Sequence, residues 1–307
     1  MSSNPKYSSH ASAMRLPLLV SLLTAMTVLS GTSAAAAGTG VPRVVVNILV
    51  DQLRTDYLNA FMPLYGQEGF VRLLNEGRVY AQAEYPHYRP DRASAAATLA
   101  TGTTPYNHGI VALKWLDRET LRPVFCVNDK NYAGLQTTDA SSPTFLGVST
   151  VGDELKVATE GKALVYAIAP FRDAAILSAG HAADAAVWID DRTGQWCSTS
   201  YYGKALPSWT TVLNSNRLDD RLKTLTWKPS SDLVGNFSYF LSGGMKKPFN
   251  HKFTGVGRFA SYKTSGLINE EVVRAATQCI NGTMVGTDAI TDYLALTLYA
   301  GNIDHRT

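Results

Sequence analysis

Apolar runs of strand length alternate with segments of helical periodicity along this chain of 307 residues. Residues 44–50 form a nearly continuous β-branched run that ends on Asp51, which is typical of a strand buried on both faces of a parallel sheet. Apolar runs over residues 163–169 and 293–299 predict two further strands. The pattern therefore predicts a sheet whose first strand leads directly to a carboxylate.

Helical periodicity falls between these strands. It predicts helices over residues 70–76, 92–100, 153–158, 206–213 and 269–280. Asp91 is placed to cap the Ala-rich second helix, and Asn269 is placed to cap the last one. Val272, Val273 and Ala276 are predicted to share the buried face of that last helix.

Turn residues and composition complete the fold prediction. Residues 190–194 separate two short apolar runs, 185–189 and 196–202, which predicts a β-hairpin. Residues 228–268 are rich in Gly, Ser and Lys and are predicted to form an irregular surface insertion. Strands that alternate with helices indicate an α/β fold of three layers, with a mostly parallel sheet covered by helices on both faces.

The N-terminal segment has the pattern of an export signal. Arg15 precedes an apolar run over residues 16–29, and small residues with Ala-x-Ala cleavage options follow. We expect a signal peptide over residues 1–37, a single domain over residues 38–307, and export to the periplasm or the medium. A retained membrane anchor is the alternative, but the apolar run is shorter than the roughly 20 residues that a spanning helix needs.

Composition and charge narrow the expected partners. The chain is 45% hydrophobic and 17% charged, as in an ordinary globular protein, and its net charge is +3. Two of its basic residues lie in the predicted signal, so the remainder is about neutral and we expect no nucleic-acid partner. Two of the three cysteines (Cys126, Cys197 and Cys279) could pair in an oxidising compartment, and their spacing indicates no zinc cluster.

Three places in the chain are candidates for a site, because ligands of open α/β sheets bind beyond the carboxyl ends of the strands. They are Asp51 after the first strand, the helix start at Asp91 and Arg92, and residues 302–305 after the last strand. A carboxylate at a strand end is a candidate metal ligand, and a cap or turn role is the common alternative.

Longer stretches of the chain resemble a known family. Four segments occur in order within residues 43–305: VVVNILVDQLRTDYL, DRASAAATLATGTTPYNHGIV, AILSAGHAADAAVWIDD and TDYLALTLYAG. They resemble the alkaline phosphatase superfamily, and within it the bacterial phosphatases related to type I phosphodiesterases and nucleotide pyrophosphatases. The resemblance implies a two-zinc phosphoester hydrolase in which a Thr or Ser at a helix N-terminus attacks phosphorus.

The resemblance assigns family positions to particular residues of this chain. Asp51 matches the first metal ligand. The nucleophile position holds Arg92, which is always cationic and cannot attack phosphorus. An Asn position holds Leu113, and the Lys and Arg positions that bind phosphate hold Phe171 and Asp173.

Two further positions of the family's pattern fall near the end of this chain. The Asp position four residues before the family's next metal-binding His holds Gly301, and His305 matches that His. The later Asp-His pair and the final His have no counterpart, so the resemblance implies a domain that is C-terminally incomplete relative to the family. Asp51 and His305 are then the candidate metal ligands, with zinc as cofactor if the chain is active and no cofactor as the alternative.

Other side chains leave alternatives open. Ser94 could replace the missing nucleophile, or it could be a small residue packed within the Ala-rich helix. Arg172 could bind phosphate if the alignment slips by one residue, or it could form a surface ion pair with Asp173 or another acid. We interpret His108 and His181 as turn or core residues rather than ligands.

Three hypotheses of different kinds follow from these residues. The first is an exported, catalytically degenerate member of the superfamily that binds a small phosphate ester, another anion or a partner. The second is an active phosphomonoester or phosphodiester hydrolase with an altered metal site that uses Ser94 and Asp51. The third is a structural or partner-binding protein whose contact surface is the segment 228–268.

Overall fold

The computed structural model describes residues 40–229 and 250–301, and the residues from Val41 onward belong to one compact unit. The predicted signal peptide, residues 230–249 of the predicted insertion, and His305 lie outside the described residues.

The described part of the chain alternates strands with helices. The strands are β1 Val44–Asp51, β2 Lys114–Leu116, β3 Pro123–Phe125, β4 Gly134–Leu135, β5 Val165–Ile168, β6 Ala185–Ile189, β7 Trp196–Thr199, β8 Thr226–Trp227, β9 His251–Lys252 and β10 Asp292–Tyr299. The helices are α1 Thr55–Ala60, α2 Phe70–Glu76, α3 Arg92–Thr101, α4 Pro105–His108, α5 Val151–Ala158, α6 Arg172–Ala179, α7 Thr210–Ser215, α8 Leu218–Leu222, α9 Arg258–Lys263 and α10 Ile268–Gly282. Among these described helices, none has both the length and the apolar character needed to cross a membrane.

The main sheet is mostly parallel, as predicted. Its strand order is β1-β10-β5-β6-β7-β4. The pairs β1–β10, β10–β5 and β5–β6 are parallel, and β6–β7 and β7–β4 are antiparallel. The predicted hairpin is the β6–β7 pair.

Side chains of the central strands alternate between two apolar cores, which gives the predicted three layers. Ala186 and Trp188 of β6 belong to the core that α3 and α6 cover with small residues, among them Ala96 and Ala175. Val187, the residue between them, belongs to the core covered by α7, α8, α9 and α10. Because consecutive strand residues point to opposite faces, both faces of the sheet are buried here.

Four sequence predictions differ from the structure. The first strand was predicted to be buried on both faces, but β1 lies at one edge of the sheet and Val45, Val46 and Ile48 are exposed. Two buried residues of the predicted irregular insertion, Phe259 and Tyr262, lie on helix α9 and belong to the second core. The last two differences concern α10 and the cysteines.

Helix α10 begins at Ile268, so its N-cap is Leu267, two residues before the predicted N-cap Asn269. The amide of Asn269 instead binds the backbone of Tyr299, donating to its carbonyl at 2.9 Å and accepting from its N–H at 2.7 Å. Val273 was predicted to be buried beside Val272, but it is exposed.

All three cysteines are buried and free, so the pairing that we considered does not form. Burial raises the pKa of each thiol above its usual value. We therefore treat the cysteines as core residues.

Candidate functional site

The carboxyl ends of the parallel strands lie at one edge of the sheet, and a cleft lined by Phe171 and Asp190 opens there. Asp51 ends β1, Tyr299 ends β10, Phe171 follows β5 and Asp190 follows β6. The cleft at this edge has a volume of about 400 Å³ and is lined by charged side chains of both signs and by three aromatic rings. This is the edge at which an open α/β sheet binds its ligand.

Arg92 and Asp173 form an ion pair in the wall of this cleft. Arg92 is the first residue of α3, Asp173 lies in the first turn of α6, and the two Ala-rich helices pack against each other. Nε of Arg92 donates to one carboxylate oxygen of Asp173 at 2.7 Å, and Nη2 donates to the other at 3.0 Å. The Asp173 side chain is 2% exposed and the Arg92 side chain 20%. Two parallel charge-assisted bonds fix the geometry of this pair.

The guanidinium of Arg92 also lies over an aromatic ring. Its Cζ is 3.9 Å from the centre of the Phe171 ring, and that ring is 5.4 Å from the ring of Tyr299. Nζ of Lys263 lies 4.9 Å from the Phe171 ring and donates to Asp191 at 2.6 Å. Phe171 thus contacts two cations, but it brings no charge of its own to a phosphate.

Asp51 has one carboxylate oxygen without a partner. Its Oδ2 is buried and has no hydrogen bond within the described residues. Burial raises the pKa of Asp51, the charge of Arg92 opposes that rise, and the charge of Asp173 adds to it. Asp51 therefore lies within electrostatic range of the Arg92–Asp173 pair. Its role as a metal ligand stays a prediction.

The described residues do not fit a two-zinc centre. Residues 40–229 and 250–301 contain no group of three or more His, Cys, Asp or Glu side chains that could hold a metal ion. Gly301 has a φ of 99°, in which an Asp would be strained, so this position is unsuited to the family's ligand. The nucleophile position holds Arg92, which is paired with Asp173 and has no lone pair to offer a metal ion.

Ser94 and Leu113 both contact Asp91. Ser94 is 1% exposed. Its N–H donates to Asp91 at 2.9 Å and its Oγ accepts from the Asp91 N–H at 3.0 Å, which makes a reciprocal capping box at the start of α3. The N–H of Leu113 donates to the second Asp91 oxygen at 2.5 Å, and its side chain packs against the first core. These contacts favour the alternative in which Ser94 is a structural part of the helix.

Two further cations line the cleft around Phe125. Cζ of Arg172 lies 4.4 Å from the centre of that ring, and Nζ of Lys114 lies 5.8 Å from it. Arg172 donates to two neutral side chains at 3.0 and 2.9 Å. Of the ion pairs considered for Arg172, the one with Asp173 does not form, because neighbouring residues of a helix point apart and Asp173 reaches Arg92 instead. Arg172 pairs with another acid, Asp139, at 3.9 Å.

His108 and His181 are core and turn residues, in agreement with the prediction, and neither lines the cleft. His108 is fully buried, its Nδ1 accepts from the N–H of Ile110 at 3.1 Å, and its Nε2 lies 3.1 Å from a Thr hydroxyl. His181 follows α6 and bonds Asp153 at 3.2 Å and the carbonyl of Leu146 at 3.0 Å.

Sequence reasoning missed Lys114 and Lys263. Lys263 comes from the segment predicted to be an irregular insertion, so nothing placed it near the sheet. Lys114 lies on β2, a strand of three residues, which is too short to produce a recognisable alternation. The local sequence around either lysine does not predict that it lines the cleft, because its position there depends on how distant segments pack.

Comparisons with known proteins agree with this architecture. The model of the type I phosphodiesterase / nucleotide pyrophosphatase family matches residues 45–300. Alkaline phosphatase PhoV of Synechococcus elongatus is 34% identical over 217 residues, which cover 70% of this chain and 39% of that protein. Alkaline phosphatase PafA of Elizabethkingia meningoseptica is 31% identical over 290 residues, which cover 88% of this chain and 53% of that protein.

Solved structures of PafA share the fold. The wild-type crystal structure matches with a TM-score of 0.73 and 30% identity over 84% of this chain and 52% of that one. A variant in which one Thr, one Asn, one Lys and one Arg are replaced matches with a TM-score of 0.74 and 29% identity over 84% and 53%. The chain spans about two fifths to one half of the length of these curated relatives.

Proposed function

Because the chain belongs to the type I phosphodiesterase / nucleotide pyrophosphatase family of the alkaline phosphatase superfamily, we propose that it is an exported member that has lost the family's phosphoryl transfer and binds an anion in the retained cleft. The two parts of this proposal rest on different residues. The loss of transfer rests on Arg92 and Asp173, and anion binding rests on Lys114 and Arg172.

The Arg92–Asp173 ion pair carries the first part. A guanidinium has no nucleophilic atom and does not deprotonate in proteins, so the nucleophile position cannot begin the family's reaction. Its two bonds to Asp173 also hold it in place. Catalytic residues that act as a unit lose their effect together when one member is missing.

The PafA variant supports the same alignment. The replaced Thr and Asn of that enzyme stand as far apart in sequence as Arg92 and Leu113 do here, and its replaced Lys and Arg as far apart as Phe171 and Asp173. We infer that the four pairs of positions correspond. None of the four residues of this chain keeps the functional group of its counterpart.

Anion binding is proposed for the Phe125 side of the cleft. Arg92 is already neutralised by Asp173, and Lys263 by Asp191. Lys114 forms no ion pair within the described residues, and Arg172 donates to two neutral groups and forms one long ion pair, with Asp139 at 3.9 Å. These two side chains therefore have charge available for a phosphate or a phosphate ester.

The test combines zinc content, hydrolysis and anion binding on the full chain. We expect no stoichiometric zinc, no turnover of aryl phosphate or phosphodiester, and calorimetric binding of inorganic phosphate. Lys114→Ala is expected to weaken that binding about tenfold, the effect of one charged hydrogen bond. Lys162→Ala, which removes an exposed lysine paired with Glu160, is the control and should bind as the unaltered chain does.

An active hydrolase with an altered metal site is the second candidate, and the unpartnered Oδ2 of Asp51 favours it. It requires bound zinc and a turnover that Asp51→Ala and Ser94→Ala both abolish. That result would contradict the loss of catalysis. If the chain has neither zinc nor turnover and also fails to bind phosphate, the anion proposal is contradicted. Only the assignment of the fold then stands.

A further inference from the structure

Strand β1 leaves one side of its backbone open. It pairs with β10 over all of its length, Val44–Asp51, in a register without a bulge. No other strand of residues 40–229 and 250–301 pairs with it, so it forms one edge of the described sheet. At the opposite edge lies β4, which has only two residues. A short edge strand offers another chain little to pair with, whereas a long regular one is a template for a further strand.

The open side carries the backbone groups of every second residue of β1. The carbonyls of Arg43 and Asp51, at the two ends of the strand, each accept at 2.9 Å from an N–H group in or directly after β10. Because carbonyls alternate in direction along a strand, those of the odd-numbered residues between them also point to β10. The residues whose N–H and C=O groups point away from β10 are the even-numbered ones: Val44, Val46, Ile48 and Val50.

The side chains along this edge are apolar and accessible. Val46 and Ile48, on one face of β1, are 47% and 54% exposed, and Val45, on the other face, is 41% exposed. Natural edge strands are commonly protected from pairing by a Lys, a Pro or a bulge, and β1 has none of these. It therefore has both the open backbone groups and the apolar surface that an added strand needs.

The sequence of β1 is complementary to itself in the antiparallel direction. With Asn47 at the centre, each apolar residue of one copy stands opposite an apolar residue of the other: Val46 opposite Ile48, Val44 opposite Val50, and Val45 opposite Leu49. The first two are pairs of outward-pointing residues, which exchange two hydrogen bonds in an antiparallel ladder. One register therefore satisfies the open backbone groups and matches the side chains.

The charged residues at the ends of β1 fit the same register. Arg43 of one copy stands opposite Asp51 of the other, and this happens at both ends of the paired strands. Opposite charges that face each other across two strands are favourable. Oδ2 of Asp51 has no hydrogen bond within the described residues, so pairing takes no partner from this oxygen.

We propose that β1 is a dimer interface, at which β1 of a second copy of this chain pairs antiparallel about a two-fold axis at Asn47 and joins two sheets into one. A two-fold axis repeats every contact, so each matched pair of residues occurs twice. The dimer does not depend on the proposed anion binding, because neither Lys114 nor Arg172 takes part in it. Failure of phosphate to bind would leave it unaffected.

Asn47→Cys tests the position of the axis in the purified full chain. The two copies of residue 47 form a non-hydrogen-bonded pair with Cα atoms about 4.5 Å apart, within the roughly 4.4–6.8 Å that a disulfide spans. Mild oxidation should give a cross-linked dimer on a non-reducing gel, and the three native cysteines are buried. Val45→Cys is the matched control, because Val45 stands opposite Leu49 and not opposite itself. It should stay uncross-linked.

Val46 and Ile48 test the register by charge in analytical ultracentrifugation. Val46→Lys with Ile48→Lys places like charges opposite each other in both copies of the pair, and should give monomers where the unaltered chain is a dimer. Val46→Lys with Ile48→Glu places opposite charges in the same pairs and should restore the dimer. Val256→Lys, at a residue that is 95% exposed and outside β1, should remain a dimer.

An unaltered chain that sediments as a monomer would overturn the proposal and leave the edge of β1 to a strand of another protein. A dimer that persists with both lysines would also overturn it, as would a Val45→Cys chain that cross-links as readily as Asn47→Cys. Circular dichroism checks that each variant is folded. If the double-lysine variant is unfolded, the two cysteine variants decide between these outcomes.

Discussion

Arg92 and Asp173 both depart from the residues that the family has at these positions. Their ion pair explains the two departures together, although neither is explained alone. Taken singly, Arg92 would repel a metal ion and Asp173 would repel a phosphate. In the structure each neutralises the other across the helix pair α3–α6. The sequence alone predicted both as departures, but it offered no reason to join residues from such distant segments.

We expect Asp173→Asn to be strongly destabilising, because it leaves the guanidinium of Arg92 without a counter-ion in a mostly buried position. The expected loss in the free energy of unfolding is about 3–5 kcal/mol. Urea unfolding measures it. Arg92→Gln with Asp173→Asn should recover part of that loss, and a cost below about 1 kcal/mol for the single change would show that solvent screens the pair.

Ser94→Ala separates the two roles considered for that residue. The capping box predicts a loss of about 1 kcal/mol in the free energy of unfolding and no change in hydrolysis. Ser178→Ala, in the last turn of α6, is the control for replacing a helical serine. A loss of turnover without a loss of stability would favour Ser94 as a nucleophile.

At the scale of elements, the residue at which a helix begins depends on tertiary contacts, which the local sequence pattern does not encode. Asn269 has the residue type of an N-cap, yet its amide binds the backbone of Tyr299 and ties α10 to the end of β10. The prediction of the helix itself is confirmed, because its apolar periodicity is long. The choice of the capping residue is wrong, because a tertiary hydrogen bond took the Asn side chain.

Val272 and Val273 provide a matched pair on helix α10. Val272 is 0% exposed and Val273 is 54% exposed. Val272→Ala should cost about 1–3 kcal/mol of unfolding free energy by leaving a cavity, while Val273→Ala should stay within about 0.5 kcal/mol. Thermal or urea unfolding of both variants checks this, and equal costs would contradict the placement of the helix face.

At the scale of the molecule, the fold class was predictable and the order of the strands was not. Alternating elements and the resemblance both predicted a three-layered, mostly parallel sheet. A β-branched run, however, does not show whether a strand pairs with one neighbour or with two. β1 lies at the edge of the sheet, and several of its side chains are exposed. The sequence predicted Asp51 and Arg92 as site residues, because one ends a strand and the other begins a helix. It did not predict Lys114 or Lys263.

The pH dependence of stability should reflect two histidines outside the cleft. His181 donates to Asp153 and to the Leu146 carbonyl, which only the imidazolium can do, and the bond to Asp153 raises its pKa above 6.5. Its stabilisation is therefore complete below pH 6.5 and is lost as pH rises through the higher folded pKa. Burial and the nearby His87 lower the pKa of His108, so stability falls as pH drops from 6.5 toward that lower value.

These opposite shifts predict a maximum of the free energy of unfolding near the ordinary His pKa, about pH 6.5. Urea unfolding between about pH 5 and pH 8 measures the curve. His181→Gln should remove most of the decline on the alkaline side, because the buried thiols, whose pKa is also raised, lower stability only as pH approaches the ordinary thiol pKa of about 8.5. His108→Gln should reduce the decline on the acid side and leave the alkaline side unchanged. An alkaline decline that survives His181→Gln would show that the imidazolium bridge between Asp153 and Leu146 is not its source.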